Sequence, residues 1–147
     1  MPKKVRLADV IDRNDAVRYG QYLTTLANCG DCHTPRSFTG KSKQGLYLSG
    51  GVEFELPQGK VVAANITPDP ETGIAHWSKA IFVARFKAFD GPRARTIPVR
   101  PQQMNTVMPW TLYGGMSEED LGAIYDFLSQ VKPVHNRVTV FVPKASP

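Results

Sequence analysis

Cysteine is scarce in this chain: Cys29 and Cys32 are the two among 147 residues. Two cysteines cannot build the disulfide framework that staples small secreted domains. A closed zinc shell is disfavoured too, since no second C-x-x-C and no H-x-x-x-H supplies the rest of a four-ligand set. Long hydrophobic runs are also missing, and no stretch approaches the roughly 18–20 apolar residues that span a bilayer. Pro2-Lys3-Lys4-Val5-Arg6 runs into Leu7-Ala8-Asp9-Val10-Ile11-Asp12 without the apolar centre of a secretory leader. There is no internal repeat and no low-complexity tract. A dense Lys/Arg block interleaved with aromatics is absent, which disfavours nucleic acid as a partner. The formal charge is +5, from 18 Lys and Arg against 13 Asp and Glu. Such an excess serves solubility, or steers the molecule towards an acidic protein or an anionic membrane.

What is present is concentrated in five residues, Cys29-Gly30-Asp31-Cys32-His33. C-x-x-C-H is the attachment pattern of a c-type haem. Two intervening residues let one turn of backbone present both sulfurs to one porphyrin edge, where they add to the vinyl groups. The following imidazole is carried onto the iron axis. A C-x-x-C can instead be a redox disulfide, but that arrangement follows a strand at the start of a βαβ unit, and here a helical pattern leads into it. One motif implies one haem c, held covalently through Cys29 and Cys32. Covalent attachment takes place outside the cytoplasm, so the missing leader is expected to have been removed. The location expected is then outside the cytoplasm, which in a bacterium is the periplasm or the outer face of the inner membrane.

Periodicity predicts three helices in a single domain, with a core over about 14–132 and an extended tail over 133–147. The first runs from about Asp15 to Ala27, with Tyr19, Tyr22, Leu23 and Leu26 on one stripe and Asn14 or Asp12 as cap. Gly20 inside it, against its propensity cost, suggests a close helix approach. The second runs from Ser78 to about Phe89 with Phe82, Phe86 and Phe89 aligned. The third follows Ser117, where Asp120 stands in for the usual Glu or Gln of a capping box, and buries Leu121, Ile124, Tyr125 and Leu128 up to Lys132-Pro133. Val52, Phe54 and Leu56 alternate with polar residues. Pro57-Gln58-Gly59 makes a turn and residues 60–64 return, a small β-hairpin. Asn65 to Gly73 is a loop. The segment 91–116 has four prolines and no helical stripe, and residues 134–147 read as an extended strap or linker. Asn65-Ile66-Thr67 matches a glycosylation sequon, a pattern common enough by chance to carry no weight.

His33 supplies one axial ligand, and the candidates for the other are Met104, Met108, Met116, His76 and His135. Met116 has a competing role, since it precedes Ser117 and can form a hydrophobic staple with Leu121. Met108 lies in Val107-Met108-Pro109-Trp110, where Pro109 holds the backbone extended and Trp110 walls it. A thioether binds iron weakly, so it needs a stiff loop to keep water out. Without the haem motif, Met108 reads as an ordinary core methionine. His76 and His135 flank helix ends and read as surface residues.

These features resemble the class I cytochrome c family. The likeness runs from Tyr19-Gly20-Gln21-Tyr22-Leu23 through the C-x-x-C-H segment and Met108-Pro109-Trp110 to the helix over Ser117–Leu128. The stretch from Asn65 to Ile74, followed by His76-Trp77-Ser78, is similar to a bacterial subgroup that includes haem modules serving membrane-linked dehydrogenases. The resemblance implies a mainly α fold in which N- and C-terminal helices cross around one haem, with Gly20 at the crossing against Tyr125. It implies His33 and Met108 as iron ligands, and Trp77 or Asn65 as supports for the haem propionates. The function implied is electron transfer, not bond chemistry, between a dehydrogenase or respiratory donor and a downstream acceptor. Redox partners with an acidic surface would dock near Arg36, Lys41 and Lys43. The alternative is a ligand sensor or peroxidase-like enzyme with an open or labile sixth position, for which His76 is the candidate distal base.

Overall fold

A computed structural model describes residues 11–100 and 103–145; the basic N-terminal stretch Pro2–Arg6 lies outside them. Helix α1 (Ala16–Leu26) starts where the Asp15 carboxylate accepts from the Arg18 backbone N–H at 3.1 Å. The cap is thus Asp15, one residue past the expected Asn14, which is tied to Asp12 instead. Tyr19, Gly20, Leu23 and Thr24 form the buried face. That face packs on α5 (Glu118–Leu128), and a Cβ at Gly20 would lie 1.8 Å from the Ala123 carbonyl oxygen. Ala123 and Phe127 therefore meet Gly20, where Tyr125 was expected. Small residues set this contact because they let two helix backbones approach, and apolar periodicity does not register them. The helix consequently turns Tyr22 and Leu26 outward.

The α5 N-terminus is capped by Ser117, whose hydroxyl accepts from Asp120 N–H at 3.0 Å. Glu118 and Glu119 place negative charge at the positive end of the helix dipole. Asp120 does more than complete a cap, because its carboxylate accepts from the Tyr19 hydroxyl at 2.7 Å and joins α5 to α1. Helix α3 (Lys79–Lys87) begins at Ser78, which accepts from Ile81 N–H at 3.2 Å. Its Phe82 and Phe86 are buried, and Tyr125 reaches over to it, with its ring 5.7 Å from Phe82 and its hydroxyl donating to the Trp77 carbonyl at 2.6 Å. Phe86 and Phe89 both pack 5.1 Å from Trp110.

Two short helices escape periodicity. Cys29–His33 is the single turn α2, and Trp110–Tyr113 is α4. A 3-10 turn over Pro92–Thr96 also interrupts the segment read as lacking helix. The hairpin forms as β1 (Glu53–Leu56) and β2 (Gly59–Val62), with Phe54 opposite Val61. It is one strand larger than expected. Phe141–Pro143 (β3), in the tail read as a strap or linker, pairs antiparallel with β2, with Lys60 opposite Val142. The weak alternation over residues 134–147 does not single out three residues ending in proline, and β3 forms on the edge that β2 leaves unpaired. The result is a mixed structure of five α-helices and a three-stranded sheet among the described residues.

The Gly20 contact gives a direct expectation. Gly20→Ala should destabilise the fold by about 3 kcal/mol, at the upper end of ordinary overpacking, read as a lower urea midpoint. A variant as stable as the parent would contradict the backbone-to-backbone approach of α1 and α5.

Candidate functional site

The corner between α1 and α2 is made by Asn28, whose φ of +57° is a left-handed conformation that asparagine tolerates. Its side chain donates to Asp31 at 2.7 Å across the turn. This corner places Cys29 partly inside and Cys32 on the surface, both as free thiols. Burial pushes the Cys29 thiol up to about 11. Tyr113 of α4 donates its hydroxyl to the Ala27 carbonyl at 2.7 Å, fixing α4 against the same corner. Burial, then the neighbouring Cys29, raises the pKa of Tyr113 and of Tyr47.

His33 ends α2 with its ring held. Nδ1 lies 2.7 Å from the Ala64 carbonyl, an acceptor only, so Nδ1 carries the proton and Nε2 keeps its lone pair. Burial lowers the His33 pKa against this hydrogen bond, favouring the neutral imidazole. The His33 carbonyl accepts from Gly50 N–H at 2.7 Å. Gly50 has φ +77°, and a Cβ there would lie 2.5 Å from the Ala63 carbonyl oxygen, so the 63–64 backbone rests directly on it. Beside it, Leu48 is fully buried at φ +61°, with its N–H donating to Thr34 and its carbonyl accepting from Ile66.

The other expected residues fall into distinct settings. Met108 is half-buried against the core, its N–H donating to Thr106 Oγ1 at 3.0 Å and its carbonyl accepting from Trp110 N–H at 2.8 Å. Met104 is exposed, and Met116 packs against the core before α5. Trp77 is half-buried with the Arg85 guanidinium 5.2 Å from its ring centre. Asn65 is buried with its side chain fully used. Its amide nitrogen donates to Thr72 Oγ1 at 3.0 Å and to the Val134 carbonyl at 2.7 Å, and its oxygen accepts from the Thr67 N–H and hydroxyl. It is thereby inaccessible as a sequon. His76 is exposed, and His135 is exposed beside Asp69 at 3.6 Å. Among the described residues no three His, Cys, Asp or Glu side chains gather as a metal cluster. Ala64, Gly50, Tyr47 and Tyr113 were not foreseen as neighbours of the motif. A backbone acceptor such as the Ala64 carbonyl has no side-chain signature to find.

Two free thiols one helical turn apart, an imidazole with Nε2 available and a thioether in a braced loop match the donor set for a covalently held haem. Leu26 and Leu112 are each 69% exposed, and Ile97, Met104 and Val107 are exposed on the segment leading to Met108.

No protein-family model matches the chain. It is 32% identical over 130 residues to the cytochrome c subunit of a quinone alcohol dehydrogenase from Gluconacetobacter polyoxogenes, covering 87% of this chain and 25% of the relative. It is 31% identical over 123 residues to the gluconate 2-dehydrogenase cytochrome c subunit of Pantoea cypripedii, covering 82% and 25%. A diheme c-type cytochrome of Cereibacter sphaeroides is 28% identical over 114 residues, covering 78% and 36%. The chain thus spans about a quarter of the length of the first two.

The contrast between the thiols is testable in haem-free protein. At pH 8 iodoacetamide should modify the exposed Cys32 well before the buried Cys29, resolved by peptide mass spectrometry. Equal rates would contradict the burial of Cys29. In the haem-loaded protein neither sulfur should react.

Proposed function

Taking as premise that the chain is a haem module of the c-type cytochromes, we propose that it carries electrons in the periplasm or on the outer face of the inner membrane, using one haem c with His/Met ligation. The observation that carries this reading is the His33 ring, with its Nδ1 donating to Ala64 and its Nε2 left free directly after two unpaired thiols. When bound, haem supplies one-electron exchange between ferric and ferrous iron. The chain's residues do the rest. The Cys29 and Cys32 thiols would hold the haem covalently, each through a thioether bond formed as a vinyl group takes up the sulfur on one carbon and its hydrogen on the other. His33 Nε2 and Met108 Sδ would be the side chains that hold the iron, leaving no site open to oxygen. A thioether together with an imidazole would favour the reduced state and set the potential above that of a bis-histidine site. Apolar surroundings act in the same direction by disfavouring the extra positive charge of the oxidised state. Asn65 contributes by holding the loop that carries the Ala64 carbonyl, and Trp77 by walling the domain near α3.

One motif in the chain argues for one haem. The donor is a dehydrogenase or respiratory protein, and the chain works as a carrier or as the electron-transfer part of such a complex. No helix among the described residues is long and apolar enough to cross a membrane. Arg36 forms an ion pair with Asp31 and donates to the Gly40 carbonyl. Steering of an acidic partner therefore falls mainly to the exposed Lys41 and Lys43.

Visible spectra with and without carbon monoxide test the ligation. The parent should be low-spin and unmoved by carbon monoxide, and Met108→Ala should become high-spin and bind it. A parent that shifts on adding carbon monoxide would instead support the ligand-sensor or peroxidase-like alternative. The double variant Lys41→Glu with Lys43→Glu should slow electron transfer to an acidic partner by about tenfold at low salt. A rate unchanged at every ionic strength would remove the docking role.

A further inference from the structure

Resting on the reading of His33 as an iron ligand, we infer that Asn136 is a positioning residue for His33, acting through the two segments that grip it. Those segments are the turn over 46–51 and the loop over 63–72. Gly50 N–H donates to the His33 carbonyl, and the Ala64 carbonyl accepts from its ring, both at 2.7 Å. Strand β2 ends at Val62, so no ladder fixes Ala64 itself. The segments bond to each other through Gly51 N–H to Ala63 O at 2.8 Å and Ile66 N–H to Leu48 O at 3.0 Å.

The chain beyond α5 ties them a second time. Asn136 Nδ2 donates to the Ser49 carbonyl at 2.9 Å, next to Gly50. Its backbone N–H donates to Thr72 Oγ1 at 3.0 Å. Two residues earlier, the Val134 carbonyl accepts from Asn65, next to Ala64, and the Val134 N–H donates to Thr67 Oγ1 at 3.1 Å. Thr72 Oγ1 gathers these contacts, since it also accepts from Asn65 Nδ2 and donates to Asp69 at 2.6 Å. The strap therefore bonds one residue away from each partner of His33. Only Asn136 links the turn and the loop with a single residue among these strap contacts. Pairing of β3 with β2 anchors the strap further along.

The chemical consequence runs through the ring proton. A firm Nδ1–H···O bond makes the imidazole more electron-rich, which favours oxidised iron. Slackening the strap weakens that bond, so the reduction potential rises. The neighbouring pair Arg137–Glu71 is exposed at 4.0 Å and adds only a screened surface attraction, which makes Arg137 a control on the same segment.

The test uses haem-loaded protein in the reduced state, reading His33 Nδ1–H exchange by nitrogen-15 NMR and the midpoint potential by spectroelectrochemistry. Asn136→Ala and Thr72→Val should each speed Nδ1–H exchange about fivefold or more, the scale of one lost hydrogen bond, and raise the potential. Thr72→Ser, which restores the hydroxyl, and Arg137→Ala should match the parent. Unchanged exchange and potential in Asn136→Ala, with only thermal stability lowered, would overturn the inference. So would an equal change in Arg137→Ala. A parent that carries no haem would refute the electron-carrier reading, and the ring-proton measurement on that chain would still decide the role of Asn136.

Discussion

An imidazole has two ring nitrogens, and the use of one decides the use of the other. Here the Ala64 carbonyl takes the Nδ1 proton of His33, which leaves Nε2 as the electron-pair donor. Much of the surrounding architecture serves that one hydrogen bond. Asn28 turns the chain out of α1 so that Cys29, Cys32 and His33 share one helical turn. Gly50 lets the 63–64 backbone come within reach, and Asn65 with Thr67 and Thr72 stiffens a loop that has no ladder of its own. A carbonyl displaced by an ångström would give a ring free to rotate or to take the other tautomer.

The rest of the fold makes that geometry rigid. Gly20 and Ala123 bring α1 against α5 at backbone distance, and the Tyr19–Asp120 hydrogen bond fastens the same contact. Tyr125 and Trp77 extend the packing to α3, and Phe86, Phe89 and Trp110 carry it on to α4. Tyr113 then returns from α4 to Ala27, immediately before the motif. The loop bearing Met108 is thereby braced against the same core that positions His33.

Much of this was legible in the sequence wherever side-chain chemistry or periodicity carried the signal. The C-x-x-C-H segment, the helix beginning after Ser117 and the Ser78 cap belong to that class, as does the alternation in β1. Contacts made by small residues or by the main chain were not legible. The family resemblance implied Tyr125 against Gly20, whereas the glycine meets the Ala123 backbone, a contact that a partner this small permits. Strand β3 depends on an edge elsewhere in the chain, and the Ala64 carbonyl has no residue type to announce it. Asn136 looks like any polar residue in a tail until Ser49 and Thr72 are seen beside it.

The central claim is that Cys29 and Cys32 hold a haem covalently with His33 as its ligand. The most direct measurement is the intact mass of the denatured protein, produced in cells able to attach c-type haem. The account predicts that one haem stays with the parent chain through denaturation and organic extraction, and that the double variant Cys29→Ala with Cys32→Ala retains none. A parent chain found at its bare polypeptide mass would contradict it.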